Sequence, residues 1–67
     1  MVFRITGDFI KLGQILKAVH LVEIGSDAKD VILNGEVCVN GETETRRGKK
    51  LVHGDVVEFN GEVIEVI

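Results

Sequence analysis

The sequence predicts an α+β fold, two short helices packed on a small twisted, mainly antiparallel sheet. Three observations carry that prediction. Apolar residues recur at three- and four-residue steps between Leu12 and Ile32. From Glu36 onward the apolar period drops to two. Asn-Gly pairs stand at Asn40-Gly41 and Asn60-Gly61, between the alternating runs. A helical period, a strand period and the strongest short hairpin signal thus follow one another along the chain. With 67 residues there is chain for one compact core, so 1–67 is read as a single domain.

Taken in order, Val2-Phe3-Arg4-Ile5-Thr6 is β-branched and aromatic, and reads as an edge strand ending at Gly7-Asp8. Leu12, Ile15, Leu16, Val19 and Val22 form one apolar stripe, which predicts a first helix across these positions. Lys11, Gln14, Lys17 and His20 fall outside the stripe, on the solvent side. Gly25 is the expected stop of that helix, because glycine enters the left-handed region cheaply. Ser26 is the expected N-cap of a second, shorter helix, with Asp27 against the positive end of its dipole. Ala28, Val31 and Ile32 give its buried face, and Asn34-Gly35 ends it.

The strand region follows. Val37 and Val39 point inward from Glu36-Val37-Cys38-Val39, and Glu42-Thr43-Glu44-Thr45 is the polar partner strand across the turn. Arg46 to Lys50 is a loop hinged on Gly48. Leu51-Val52 returns to the core, His53-Gly54-Asp55 turns, and Val56–Phe59 with Glu62–Ile67 makes the last hairpin. Phe3, Phe9 and Phe59 read as core.

Composition excludes several classes of function. Apolar residues are 45% and charged residues 28%, a globular balance. Cys38 is the one cysteine, so no internal disulfide forms, and one Cys with two His cannot build a structural zinc site. The thiol sits mid-strand among valines, with no neighbour in sequence to activate it. No apolar run approaches the ~20 residues of a membrane span, and no signal-peptide pattern opens the sequence, so a cytoplasmic location is expected. No nucleophile–base pair is visible, so the chain is read as non-catalytic and no cofactor is implied.

The net charge is −3, but it is unevenly spread. Arg46-Arg47-Gly48-Lys49-Lys50 holds four cations in five residues, while Leu51 to Ile67 holds Asp55, Glu58, Glu62 and Glu65 and no Lys or Arg. A local basic cluster attracts phosphate over a Debye length of roughly 8 Å whatever the net charge. Arg suits bidentate phosphate contact and Lys supplies point charge. Four such contacts to duplex-like RNA give a salt slope of about −3 to −4. Lys11 and Lys29 could extend this surface. The competing reading of the same residues is plain solvation. With no Trp or Tyr, recognition by backbone and shape is favoured over a base-stacking platform.

Ser26-Asp27-Ala28-Lys29, Ile32-Leu33-Asn34-Gly35-Glu36-Val37-Cys38-Val39-Asn40-Gly41 and Gly54-Asp55 together resemble the S-four RNA-binding domain, the alpha-L motif of small-subunit ribosomal protein four. The similarity spans about residues 9 to 60 and is closest to the short stand-alone bacterial members, in which a Thr-Arg-Arg-Gly-Lys-Lys-Leu-type run follows the hairpin, as Thr45 to Leu51 does here. In that family RNA lies across the helix pair and the following loops. The resemblance therefore implies Lys11, Ser26, Lys29, Arg46, Arg47, Lys49 and Lys50 as RNA-binding residues. The larger family has Ser-Arg where this sequence has Ile24-Gly25, so the arginine that touches phosphate there is missing and the expected contact shifts to the basic loop.

The resulting expectation is a monomeric, non-catalytic module that binds structured RNA of ribosomal or transfer type through phosphate contacts, with a ribosome or protein partner left open. Two rivals stand beside it. One is a protein-interaction adaptor working through the acidic tail sheet. The other is a DNA-associated accessory of replication or repair.

Overall fold

A computed structural model describes all residues, Met1–Ile67. The sheet at its centre has five strands in the order β1-β7-β6-β3-β4. These are β1 (Val2–Phe3), β3 (Val37–Val39), β4 (Glu42–Thr43), β6 (Val56–Phe59) and β7 (Glu62–Val66). Only β1 with β7 is parallel, and the other pairs are antiparallel. A second, two-stranded ribbon joins β2 (Ile10–Lys11) to β5 (Lys50–Leu51). Helices α1 (Leu12–Ala18) and α2 (Gly25–Leu33) pack on one another.

The alternating pattern produces the core directly. Val37, Val39, Val57, Phe59, Ile64 and Val66 all point to one face of the sheet and are buried. Leu12, Ile15 and Leu16 from α1 and Ala28 and Ile32 from α2 meet them there, with Leu51 from the ribbon. Both Asn-Gly pairs make the expected turns, each with two consecutive residues in the left-handed region (Asn40 φ 52°, Gly41 φ 85°; Asn60 φ 52°, Gly61 φ 81°). The second helix ends as its sequence says. Gly35 is left-handed, its N–H reaches the Ile32 carbonyl, and the Glu36 N–H reaches that of Val31.

The first helix departs from expectation. It stops at Ala18, well before Gly25, because His20 takes the left-handed conformation (φ 62°) that glycine more often supplies. The His20 N–H bonds the Lys17 carbonyl and the Leu21 N–H that of Leu16, the same closure as at Gly35. Val19, Leu21 and Val22 still pack on the core, but from a folded-back segment and not from a helix. The apolar stripe is satisfied either way, which is why periodicity alone overran the end. Gly25 consequently opens α2 instead of closing α1. The N-cap is Ile24, extended and without a side-chain cap bond, so Ser26 lies inside the first turn and is no cap.

Three smaller corrections matter for the site. Lys11 is not on the helix but in the ribbon, at the residue before α1. The first strand is two residues long, although Ile5 N–H still bonds the Ile67 carbonyl. Phe9 is not core: it is 42% exposed, whereas Phe59 is buried.

Candidate functional site

Helix α1 begins against the basic loop. Its first N–H groups have no partner within the helix. The Leu12 N–H takes the Lys49 carbonyl at 2.9 Å and the Gly13 N–H takes the Arg47 carbonyl at 3.0 Å. A Cβ at Gly13 would lie 3.6 Å from the Arg47 backbone oxygen and Cβ, an ordinary contact, so the backbone bonds and not the glycine set this approach. The Lys11 N–H is bonded by the Gln14 side chain at 3.0 Å. Backbone bonding thus fixes the 46–50 segment on the helix instead of leaving it as a free loop.

The four cations of that segment then part company. Arg46 folds back on Glu44: Nε reaches Oε2 at 2.9 Å, Nη2 reaches Oε1 at 3.1 Å, and the Arg46 backbone N–H adds a third bond at 3.2 Å. The Arg46 fork holds the Glu44 carboxyl below its ordinary range, and Glu44 in turn raises the guanidinium. Lys49 is half-buried, and its charge helps to lower the carboxyls of both Glu44 and Asp55. Lys50 lies opposite Lys11 in the ribbon and sets its ammonium over the Phe9 ring, 4.8 Å from the centroid. Arg47 alone of the four turns into an open groove.

That groove, about 300 Å³, is lined by Lys11, Gly13, Gln14, Lys17, Gly25, Ala28, Arg47 and Gly48. Three cations and one amide stand on its walls and no carboxylate does. Gly13, Gly25 and Gly48 also line it and bring no side chain into it. Of the residues singled out by sequence, Lys11 and Arg47 come together here. Lys29 is exposed on α2 one turn beyond Gly25, and Ser26 is exposed in the turn before it; neither lines the groove. Arg46 pairs with Glu44, Lys50 sits over Phe9, and Lys49 lies half-buried; none of the three lines the groove. Lys17 and Gln14 were read as ordinary solvent-side residues. Lys17 stands three residues after Gln14 and four after Gly13, and that spacing was the signal that could have found it, because residues three and four apart share a helix face.

Comparison with known protein families matches residues 3–67 to the S4 domain. The chain belongs to the S4 domain family. Its S4 fold superposes on the solution structure of YbcJ from E. coli with a TM-score of 0.76 at 34% identity, covering 98% of this chain and 85% of that one. That structure is described as revealing an alpha-L motif involved in RNA-binding, and the two helices on a mainly antiparallel sheet seen here are that motif. Among individual relatives, RlbA of Bacillus subtilis (strain 168), named as a probable ribosome maturation protein, is 46% identical over 54 residues, which are 81% of this S4 chain and 76% of RlbA. YbcJ of Escherichia coli (strain K12) is 38% identical over 58 residues, 87% of this chain and 83% of YbcJ.

Proposed function

We propose that this S4 domain binds structured RNA, of ribosomal or transfer type, by seating the phosphate backbone in the groove between α1, the start of α2 and the Arg46–Lys50 segment. It does no chemistry on the RNA and acts as a single cytoplasmic module. The observation that carries this reading is the lining of the groove: Lys11, Lys17 and Arg47 with no carboxylate among them, on a chain whose net charge is −3. An anion is drawn to that groove and repelled by the acidic sheet, so the electrostatics orient the encounter as well as favour it. The RNA-binding description of the YbcJ fold and the ribosome maturation name of RlbA support the choice of RNA.

The contact mode differs from a bare basic loop. Three groove cations replace four loop cations, so the salt slope should be about −2 to −3. Fluorescence anisotropy with a structured RNA, titrated from low to moderate salt, measures it. Replacing Lys11, Lys17 and Arg47 together by Ala should remove most of the slope and most of the affinity. Full affinity in that variant sinks the reading. A duplex DNA competitor that displaces RNA equally would favour a DNA-associated role, because shape and 2′-hydroxyl recognition predict a preference for RNA.

A further inference from the structure

The exposed ring of Phe9 has no role in the groove. It forms one wall of a second, smaller pocket of about 170 Å³, lined by Phe3, Arg4, Ile5, Thr6, Phe9 and Ile10. We propose that this pocket takes one unpaired nucleobase of the RNA whose backbone occupies the groove; it rests on the RNA reading above and adds a base-binding subsite to it.

Four features point to a base. Two aromatic residues, Phe3 and Phe9, border the same small space, and the size suits one planar ring system, well below the roughly 300–1,000 Å³ of a drug-sized ligand site. Arg4 and Thr6 line the pocket beside four apolar residues, and their side chains carry the kind of donors that a base edge requires. Lys50 sets its ammonium over the Phe9 ring, 4.8 Å from the centroid, without joining the pocket lining, so a cation stands next to one of the pocket's aromatic residues. Finally, the two sites draw on neighbouring residues at β2. Ile10 lines the pocket and Lys11, the next residue, lines the groove. Phe9 and Lys11 are therefore at most about 7 Å apart along the backbone, the reach of a single nucleotide from its phosphate to its base. Stacking on an aromatic face tolerates any base, so the pocket selects for an unpaired nucleotide and not for its identity.

The test compares three RNAs that share one stem: fully paired, carrying one unpaired adenosine, and carrying an abasic ribose at that position. The chain should bind the unpaired adenosine about tenfold tighter than the abasic RNA. Phe9→Leu should erase that preference and leave affinity for the paired stem unchanged, while Phe9→Tyr, which keeps an aromatic face, should retain it. Should the leucine variant fold poorly, the wild-type comparison of adenosine with abasic RNA decides alone. Equal binding of those two overturns the base pocket and leaves the groove standing. Failure to bind any of the three overturns the groove, and the pocket with it.

Discussion

Asn40 and Asp55, fifteen residues apart, clamp the first hairpin to the start of β6. The Asn40 amide donates to Asp55 Oδ1 at 3.0 Å and its carbonyl oxygen accepts the Val56 N–H at 2.9 Å. Asp55 Oδ2 accepts the Val52 N–H at 2.9 Å. One asparagine thus serves twice, in the left-handed turn and in a bridge that secures the turn at Gly54-Asp55. This bridge connects two sequence signatures that look separate in the chain, Val-Asn-Gly and Gly-Asp.

Breaking the clamp should destabilise without touching the groove. Asn40→Ala removes two side-chain hydrogen bonds, one of them to a carboxylate, and is expected to lower stability by about 2–3 kcal/mol. Urea denaturation reads the midpoint, and RNA affinity below the transition should be unchanged.

The same clamp makes stability pH-dependent. The Asp55 carboxyl is held below its ordinary value of 3.8, first by the Val52 N–H, then by the Asn40 amide, with help from the Lys49 charge. A carboxyl lowered on folding stabilises fully above its unfolded value and loses that contribution as pH falls through its folded one. The stability gap between wild type and Asp55→Asn should therefore be constant at neutral pH and narrow progressively below about pH 3.8. A gap that persists unchanged into that acid range would show that the carboxylate charge contributes nothing to the clamp.

His20 offers a gain. Its φ of 62° costs a non-glycine residue roughly 1–2 kcal/mol, of which glycine recovers part against its larger unfolded-state entropy. His20→Gly should raise stability by about 0.5–1 kcal/mol, seen as an upward shift in Tm. Gly41→Val should do the reverse and more severely, since a β-branched residue is forced into φ 85°.

The basic segment should respond unequally. Arg47→Ala is expected to reduce the salt slope by about 1 with little change in Tm. Arg46→Ala should scarcely weaken binding, because its guanidinium is already paired with Glu44. Glu44→Gln frees that guanidinium and should tighten binding about two- to fivefold at low salt. Replacing Arg46, Arg47, Lys49 and Lys50 together is a poorer test than any of these, since only Arg47 of the four lines the groove. Equal losses at positions 46 and 47 would show that the loop acts as one undifferentiated patch.

Local chemistry determined most of the fold. The period of two placed Val37, Val39, Val57 and Ile64 on one face, the Asn-Gly pairs made both hairpin turns, and Gly35 ended the second helix, because each depends on a residue's own backbone preference or on its neighbours within one turn. The alpha-L resemblance was likewise legible in residues 26 to 55. What the sequence could not give was whatever depends on which distant groups meet. His20 closes α1 because the fold-back lets Leu21 and Val22 reach the core, a reward invisible to propensity. Phe9 stays exposed because the Ile10–Lys11 ribbon, formed with Lys50–Leu51 far along the chain, holds it outside. Of four cations clustered in sequence, one became a groove residue and three lie outside the groove, while Lys17, seemingly idle on a helix flank, joined Lys11 and Arg47. Charge order along a chain is one-dimensional; which charges share a surface is settled by packing, and only the tertiary structure decides that.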